Sequence, residues 1–72
     1  MAGITERRRF TPTQRHALYV IADGKCALCG EPLDKGWHAD HVTPWSRGGI
    51  TAIDNGVALC GPCNLRKGAR AA

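Results

Sequence analysis

The apolar residues of this chain form short groups separated by glycine and proline, a pattern that predicts short elements and long turns. The longest helical pattern is TPTQRHALYVIADG, residues 11–24. Thr11 is the expected N-cap, Pro12 suits the first helical position, and Gln14 completes a capping box. Three apolar residues are expected to share the buried face of this helix: Ala17, Leu18 and Ile21.

The remaining pattern predicts two strands and a second helix. GWHADHV, residues 36–42, is short and partly apolar, which favours a strand, and VALC, residues 57–60, favours another. The segment between them, TPWSRGGITAIDNG, is punctuated by glycine and proline and predicts a long loop. NLRKGARAA, residues 64–72, predicts a short final helix weakened by Gly68. The expected fold class is therefore small α+β.

The chain has 72 residues, nine of them glycine and four proline, and it buries too little apolar surface to be stable without a further constraint. We interpret residues 1–10 as a flexible basic arm and residues 11–72 as one domain. No segment has the apolar core of a signal peptide or a membrane span, so we expect a cytoplasmic location and no membrane partner. In a reducing cytoplasm, cysteine pairs more often bind metal than form disulfides.

The formal charge of +4 is concentrated at the two ends of the chain. Residues 1–25 carry +3 and residues 64–72 carry +3, whereas residues 26–63 carry −2. This distribution fits either an ordinary solvated surface or a phosphate-binding footprint around a cation-binding centre.

The four cysteines form two C-x-x-C pairs, Cys26 with Cys29 and Cys60 with Cys63. Each spacing lets one tight turn direct two thiolates at one ion, so the pairs predict a tetrahedral Cys₄ zinc site. A thioredoxin-like redox motif would require a βαβ context that the sequence lacks. Thirty residues separate Cys29 from Cys60, more than the about 15–20 of a zinc ribbon. The extra length contains the segment WHADHVTPWSRGG, residues 37–49.

Three segments in order, ADHVTPWSRGG, DNGVALC and CNLRKG, resemble the HNH endonucleases, whose catalytic unit is the ββα-metal motif. The resemblance covers roughly residues 26–70, and the framing cysteine pairs resemble the zinc-bearing branch of that family. It implies a ββα-metal fold held by the Cys₄ zinc site, with an extra N-terminal helix.

The resemblance also implies roles for individual residues. His41 corresponds to the general base, and Asn55 to the central residue that orients this histidine and ties down the loop. Asp40 and Asn64 correspond to the protein ligands of a divalent cation. The sequence reads His-Asn-Asn where the family name has histidine last, which moves the ligand set toward hard oxygen donors. Such donors suit Mg²⁺ or Mn²⁺ rather than zinc.

Other polar residues are weaker candidates. His38 shares a strand face with Asp40 and is a possible further ligand of the same cation, whereas His16 is expected to be an ordinary surface residue. Arg7 to Arg9 form either a non-specific DNA arm or a solvated tail. The following residues are expected to contact DNA: Lys67, Arg70, Arg47 and Arg66.

The sequence thus predicts a metal-dependent endonuclease that hydrolyses phosphodiester bonds of double-stranded DNA, nicking or cutting it with little sequence preference. Few residues remain for reading base edges in so short a chain. Two alternatives stay open: a non-catalytic zinc-dependent DNA-binding module, and an adaptor in a phage DNA-packaging complex such as a terminase. The resemblance to phage and mobile-element nucleases suggests a bacterial or phage-infected cell.

Overall fold

A computed structural model describes residues 9–68 of the protein. The helices and strands are, in chain order, α1 (Pro12–Ile21), β1 (His38–His41), β2 (Gly56–Leu59) and α2 (Gly61–Lys67). Two 3₁₀ turns, Trp45–Arg47 and Ile53–Asn55, lie in the loop between the strands. The small α+β arrangement that the sequence predicts is confirmed. Residues 1–8 and 69–72, which include Arg7, Arg8 and Arg70, lie outside the described residues.

Helix α1 begins as its local sequence dictates. The Thr11 side chain accepts a hydrogen bond from the Gln14 backbone N–H at 3.1 Å, and Gln14 Oε1 accepts one from the Thr11 N–H at 2.9 Å. The capping box is therefore confirmed. The predicted apolar face is only partly correct, because Leu18 is buried but Ile21 is 69% exposed.

The two strands pair antiparallel, with His38 opposite Leu59 and His41 opposite Gly56. Gly56 allows α1 to approach this end of the sheet. A Cβ at Gly56 would lie 2.8 Å from Cδ1 of Leu18 and 3.1 Å from Cε1 of Phe10, so both side chains would have to move to admit it. The end of the sheet at which His41 pairs with Gly56 is therefore packed beneath Leu18 of α1 and Phe10.

The small core lies at the cysteine end of the molecule. Cys26, Leu59 and Cys63 form its buried centre. Partly buried residues pack around that centre: Leu33, Val57 and Cys60. Because half of these six residues are cysteines, the packing of the core depends on what the four thiols bind.

Element boundaries differ from the predicted ones by a few residues. The strand predicted over residues 36–42 is regular only over His38–His41, and the final helix begins at Gly61, so the second cysteine pair lies at its start. Phe10, which the sequence analysis assigns to the arm, is buried, so the packed part of the chain extends at least to this residue. Among the described helices, none is long and apolar enough to cross a membrane.

The long loop between the strands folds back on itself. It contains the 3₁₀ turn Trp45–Arg47, after which the Gly49 N–H donates to the Pro44 carbonyl at 3.0 Å. A Cβ on Gly49 would collide with the Thr43 carbonyl oxygen. Glycine at this position therefore permits the closure that brings the loop back to β1.

Candidate metal centre and catalytic cleft

The four cysteines converge on one point. Their Sγ atoms all lie within 4.8 Å of one another, and those of Cys29 and Cys60 are 3.7 Å apart. Four sulfurs bound tetrahedrally to one zinc ion at 2.3 Å would be about 3.8 Å apart. The predicted grouping of Cys26, Cys29, Cys60 and Cys63 into a metal site is thus confirmed.

The two cysteine pairs are held by equivalent backbone turns. The Gly30 N–H donates to the Cys26 carbonyl at 2.9 Å, and the Asn64 N–H donates to the Cys60 carbonyl at 2.9 Å. In the first turn Gly30 has a φ of +79°, which favours glycine. The second turn is the first turn of α2, so the metal centre also fixes the position of Asn64.

The thiols have very different proton affinities. Burial raises the pKa of Cys26, but hydrogen bonds from the backbone N–H of Cys60 and of two other residues outweigh it and lower this pKa to about 6. Burial and the neighbouring sulfurs raise the pKa of Cys63 to about 12. Arg66 donates a hydrogen bond to Cys63 Sγ at 3.2 Å. Four adjacent thiolates repel one another, so their joint ionisation requires a cation among them.

A second polar cluster lies in a cleft of about 620 Å³ beside β1, the start of α1 and the end of α2. Carboxylate, imidazole and cationic groups face one another there. The charged and titratable lining residues are Arg9, Arg15, His38, Asp40, His41 and Lys67.

Asp40 is the centre of this cluster. Its Oδ1 accepts the His41 backbone N–H at 2.8 Å, and its Oδ2 accepts the Asn64 side-chain amide at 3.1 Å. The Lys67 ammonium lies 3.2 Å from the same Oδ2, and the Lys67 side chain is only 3% exposed. Strand β1 thus brings Asp40 against α2, where Asn64 and Lys67 meet its carboxylate.

The donors at Asp40 fit a hard divalent cation. Rotating the Asn64 amide by half a turn would present its oxygen where its NH₂ group now lies, so a carboxylate and an amide oxygen can face one ion. The Lys67 ammonium beside Asp40 shows that this position favours positive charge. Lys67 would have to share Asp40 Oδ2 with a bound cation.

His41 is the last residue of β1, and its ring is buried. Its Nε2 forms a 2.9 Å hydrogen bond with Thr51 Oγ1, and its ring centroid lies 4.8 Å from that of Phe10 and 6.1 Å from that of Trp45. The imidazole therefore has a fixed orientation. Thr51, ten residues away in the long loop, was not found by sequence reasoning because it belongs to no motif.

Asn55 ties down the loop that carries Thr51. Its Oδ1 accepts the Thr43 backbone N–H at 2.9 Å, and its Nδ2 donates to the carbonyls of Thr43 and Ile50 at 3.2 Å and 2.8 Å. Its predicted effect on His41 would act through this loop, since the imidazole bonds Thr51.

Replacing Asn55 with alanine should destabilise the protein by about 1–2 kcal/mol, because three solvent-exposed hydrogen bonds are lost and each contributes about 0.5 kcal/mol, the low end of the usual range. For a domain of this size that shift lowers the melting temperature by roughly 4–15 °C. Thermal melting curves of the wild type and Asn55→Ala measure this difference in melting temperature. Asp54→Ala, a change at the exposed neighbour, is the matched control, and equal melting temperatures for the two variants would contradict the proposed loop tie.

The predicted DNA-contacting residues fall in different places. Lys67 lines the cleft, whereas Arg66 contacts the metal centre through Cys63. Arg47 is exposed at the end of its 3₁₀ turn and does not line the described cleft. His38 lines the cleft, on the strand that carries Asp40.

Comparisons with known proteins agree with this geometry. A family model described as HNH endonuclease matches residues 26–70, which contain the four cysteines and the polar cluster around Asp40. The match begins at the first cysteine and does not include α1. Searches of curated proteins and of solved structures gave no match.

Proposed function

The chain belongs to the HNH endonuclease family, and from that membership we propose that it is a divalent-cation-dependent endonuclease that hydrolyses phosphodiester bonds of double-stranded DNA. The observation that carries this proposal is that Asp40, whose carboxylate bonds the Asn64 side-chain amide, lines the same cleft as His41. A carboxylate bonded to an amide, with an imidazole lining the same cleft, is more than a DNA-binding surface requires, but it supplies what metal-assisted hydrolysis needs.

The Cys₄ centre is proposed to hold a structural zinc ion. The sulfur spacing suits a tetrahedral ion, and four thiolates leave no coordination position for water or substrate. Zinc with four thiolates carries a net charge of −2, which the Arg66 guanidinium beside Cys63 partly balances. The centre would fix β2 and the start of α2, and with them Asn64.

Asp40 and Asn64 would hold the catalytic cation, Mg²⁺ or Mn²⁺. When bound, such a cation polarises the scissile phosphate and stabilises the leaving 3′ oxygen. The Lys67 ammonium would remain beside the cluster as a further positive charge near the phosphate. The cation and the zinc would occupy separate sites, since hard oxygen donors do not compete with four thiolates for zinc.

His41 would act as the general base. The Nε2 atom forms a hydrogen bond with Thr51 Oγ1, which helps to fix the orientation of the imidazole that would accept a proton from water. Packing against Phe10 and Trp45 would keep the ring in this orientation. The residue therefore contributes a positioned acceptor without contributing to the charge that holds the cation.

A second candidate is favoured by one specific observation. The Lys67 ammonium already neutralises Asp40, so the cleft could bind a DNA phosphate without any divalent cation. The chain would then be a zinc-stabilised DNA-binding module without catalysis. Association with phage packaging proteins and residence in a bacterial or phage-infected cytoplasm remain predictions from the sequence.

Cleavage of supercoiled plasmid should require Mg²⁺ or Mn²⁺. Asp40→Asn should raise the cation concentration needed for half-maximal cleavage at least about tenfold, because an uncharged amide replaces the carboxylate that holds the ion. Asp54→Asn, at an exposed residue outside the cleft, is the matched control. Nicking assays over a range of cation concentration measure the change, with thermal melts for all three proteins.

Two outcomes separate the candidates. Activity that persists in excess chelator, while one zinc per chain is retained, would contradict the separate catalytic cation. Tight DNA binding without cleavage under any divalent cation would favour the non-catalytic module.

A further inference from the structure

One wall of the cleft comes from residues that precede the part of the chain matched by the HNH family model, residues 26–70. The HNH match begins at residue 26, yet Arg9, Phe10 and Arg15 line the cleft beside Asp40. Phe10 packs against the His41 ring, so this N-terminal segment is in contact with the residues of the proposed reaction. Helix α1 is therefore part of the site as well as part of the fold.

Arg15 is held in place before any ligand arrives. Its guanidinium carbon lies 4.3 Å from the centroid of the Trp37 ring, and its Nη2 donates to the Trp37 carbonyl at 3.4 Å. Tyr19, one turn further along α1, packs its ring 5.8 Å from that of Trp37. A guanidinium stacked on an aromatic ring keeps most of its five N–H donors in a fixed plane, which suits bidentate binding of a phosphate.

The charge in the cleft also favours an anion. Arg9, Arg15 and Lys67 face a single carboxylate, Asp40, so the lining carries an excess of two positive charges when its histidines are neutral. Trp37 immediately precedes β1, so Arg15 is anchored next to the strand that carries Asp40. Arg15 and Asp40 line the same cleft, so an extended polyanion that enters it would meet both residues.

We propose that Arg15, together with Arg9 in the same cleft, forms a subsite for a DNA backbone phosphate that flanks the scissile one. The subsite guides one DNA strand along α1 into the cleft. This inference rests on the proposed action of the protein on DNA. The residues of the subsite precede the HNH match, which begins at residue 26, so the subsite would set the position of the DNA strand rather than the chemistry of cleavage.

The test measures binding separately from cleavage. The affinity of the zinc-loaded protein for a short DNA duplex is measured by fluorescence anisotropy over a range of salt concentration, without Mg²⁺ or Mn²⁺. Arg15→Gln should reduce the slope of log K against log salt by about 0.9, the value for one lost phosphate contact. It should also weaken binding about tenfold at low salt, since one charged hydrogen-bonded contact is lost.

Two further variants sharpen the result. Arg15→Lys keeps the charge and should keep the slope, while losing part of the affinity because lysine cannot make the bidentate contact. Lys35→Gln removes a positive charge from an exposed residue outside the cleft and should leave the slope unchanged. An Arg15→Gln slope equal to that of Lys35→Gln would overturn the subsite, and thermal melts establish that both variants are folded.

A double-mutant cycle tests whether Arg15 contacts a phosphate. Uncharged methylphosphonates that replace alternate phosphates of one strand should weaken binding by the wild type more than binding by Arg15→Gln, because the variant has already lost one phosphate contact. Equal losses for the two proteins would overturn the proposal. If Arg15→Gln lowers the salt slope as expected but the wild type cuts no DNA, the endonuclease proposal fails and the phosphate subsite stands. If the wild type cuts DNA and Arg15→Gln leaves the salt slope unchanged, the subsite fails and the endonuclease proposal stands.

Discussion

A Cys60→Ser variant is expected to lose both its zinc and its native fold. Structural zinc in small finger peptides contributes about 10–16 kcal/mol at neutral pH, as much as or more than the about 5–15 kcal/mol that holds a small domain together. Here the dependence should be strong, since Cys26 and Cys63 form the buried centre of the core with Leu59. Circular dichroism and metal analysis, with one zinc per chain in the wild type, measure the effect.

The control is a change on the same helix that leaves the sulfurs untouched. Leu65 is 82% exposed on α2, so Leu65→Ala should keep the zinc and melt close to the wild type. Chelation of the wild type followed by zinc addition should reproduce the loss of the fold and then reverse it. A Cys60→Ser protein with one zinc and a native spectrum would contradict the role assigned to the Cys₄ centre.

The parts of the fold that could be predicted from the sequence are those set by near neighbours. The start of α1 depends on hydrogen bonds between Thr11 and Gln14, three residues apart, and each cysteine pair is closed by one tight turn. The C-x-x-C spacing also predicted that the two cysteine pairs come together, because four thiolates are the ligand set of one tetrahedral zinc ion. The α+β arrangement followed from the same local signals.

The contacts that the sequence did not predict join distant segments. His41 bonds Thr51, and Lys67 pairs with Asp40. The burial of Phe10 and the exposure of Ile21 have the same origin, since Gly56 lets Phe10 and Leu18 cover the end of the sheet and determines which side of α1 is buried. The periodicity of apolar residues in α1 does not predict which side of the helix is buried, because the surface that α1 packs against is formed by the two distant strands.

His41→Gln is expected to reduce DNA cleavage by about 10²–10⁴-fold, the usual contribution of a positioned general base. Cation and DNA binding should persist, because Asp40 and Asn64 would still hold the cation and the positive lining is unchanged. Glutamine is the appropriate replacement because the His41 ring is buried between two aromatic rings, and alanine would leave a cavity there. Plasmid nicking rates, Mn²⁺ and DNA binding isotherms, and thermal melts measure the three effects separately.

A Thr51→Val variant separates the role of the His41 imidazole as general base from the role of the Thr51 hydroxyl that bonds it. Valine has nearly the shape of threonine but cannot bond His41 Nε2, so the imidazole remains packed while one of the contacts that orient it is lost. Cleavage by Thr51→Val should therefore fall less than by His41→Gln, and combining the two changes should cost no more than His41→Gln alone, because Thr51 acts through the histidine. A folded His41→Gln protein that cuts at the wild-type rate would show that the buried imidazole only packs between Phe10 and Trp45. Additive losses in the double variant would show that Thr51 contributes to cleavage by a route independent of His41.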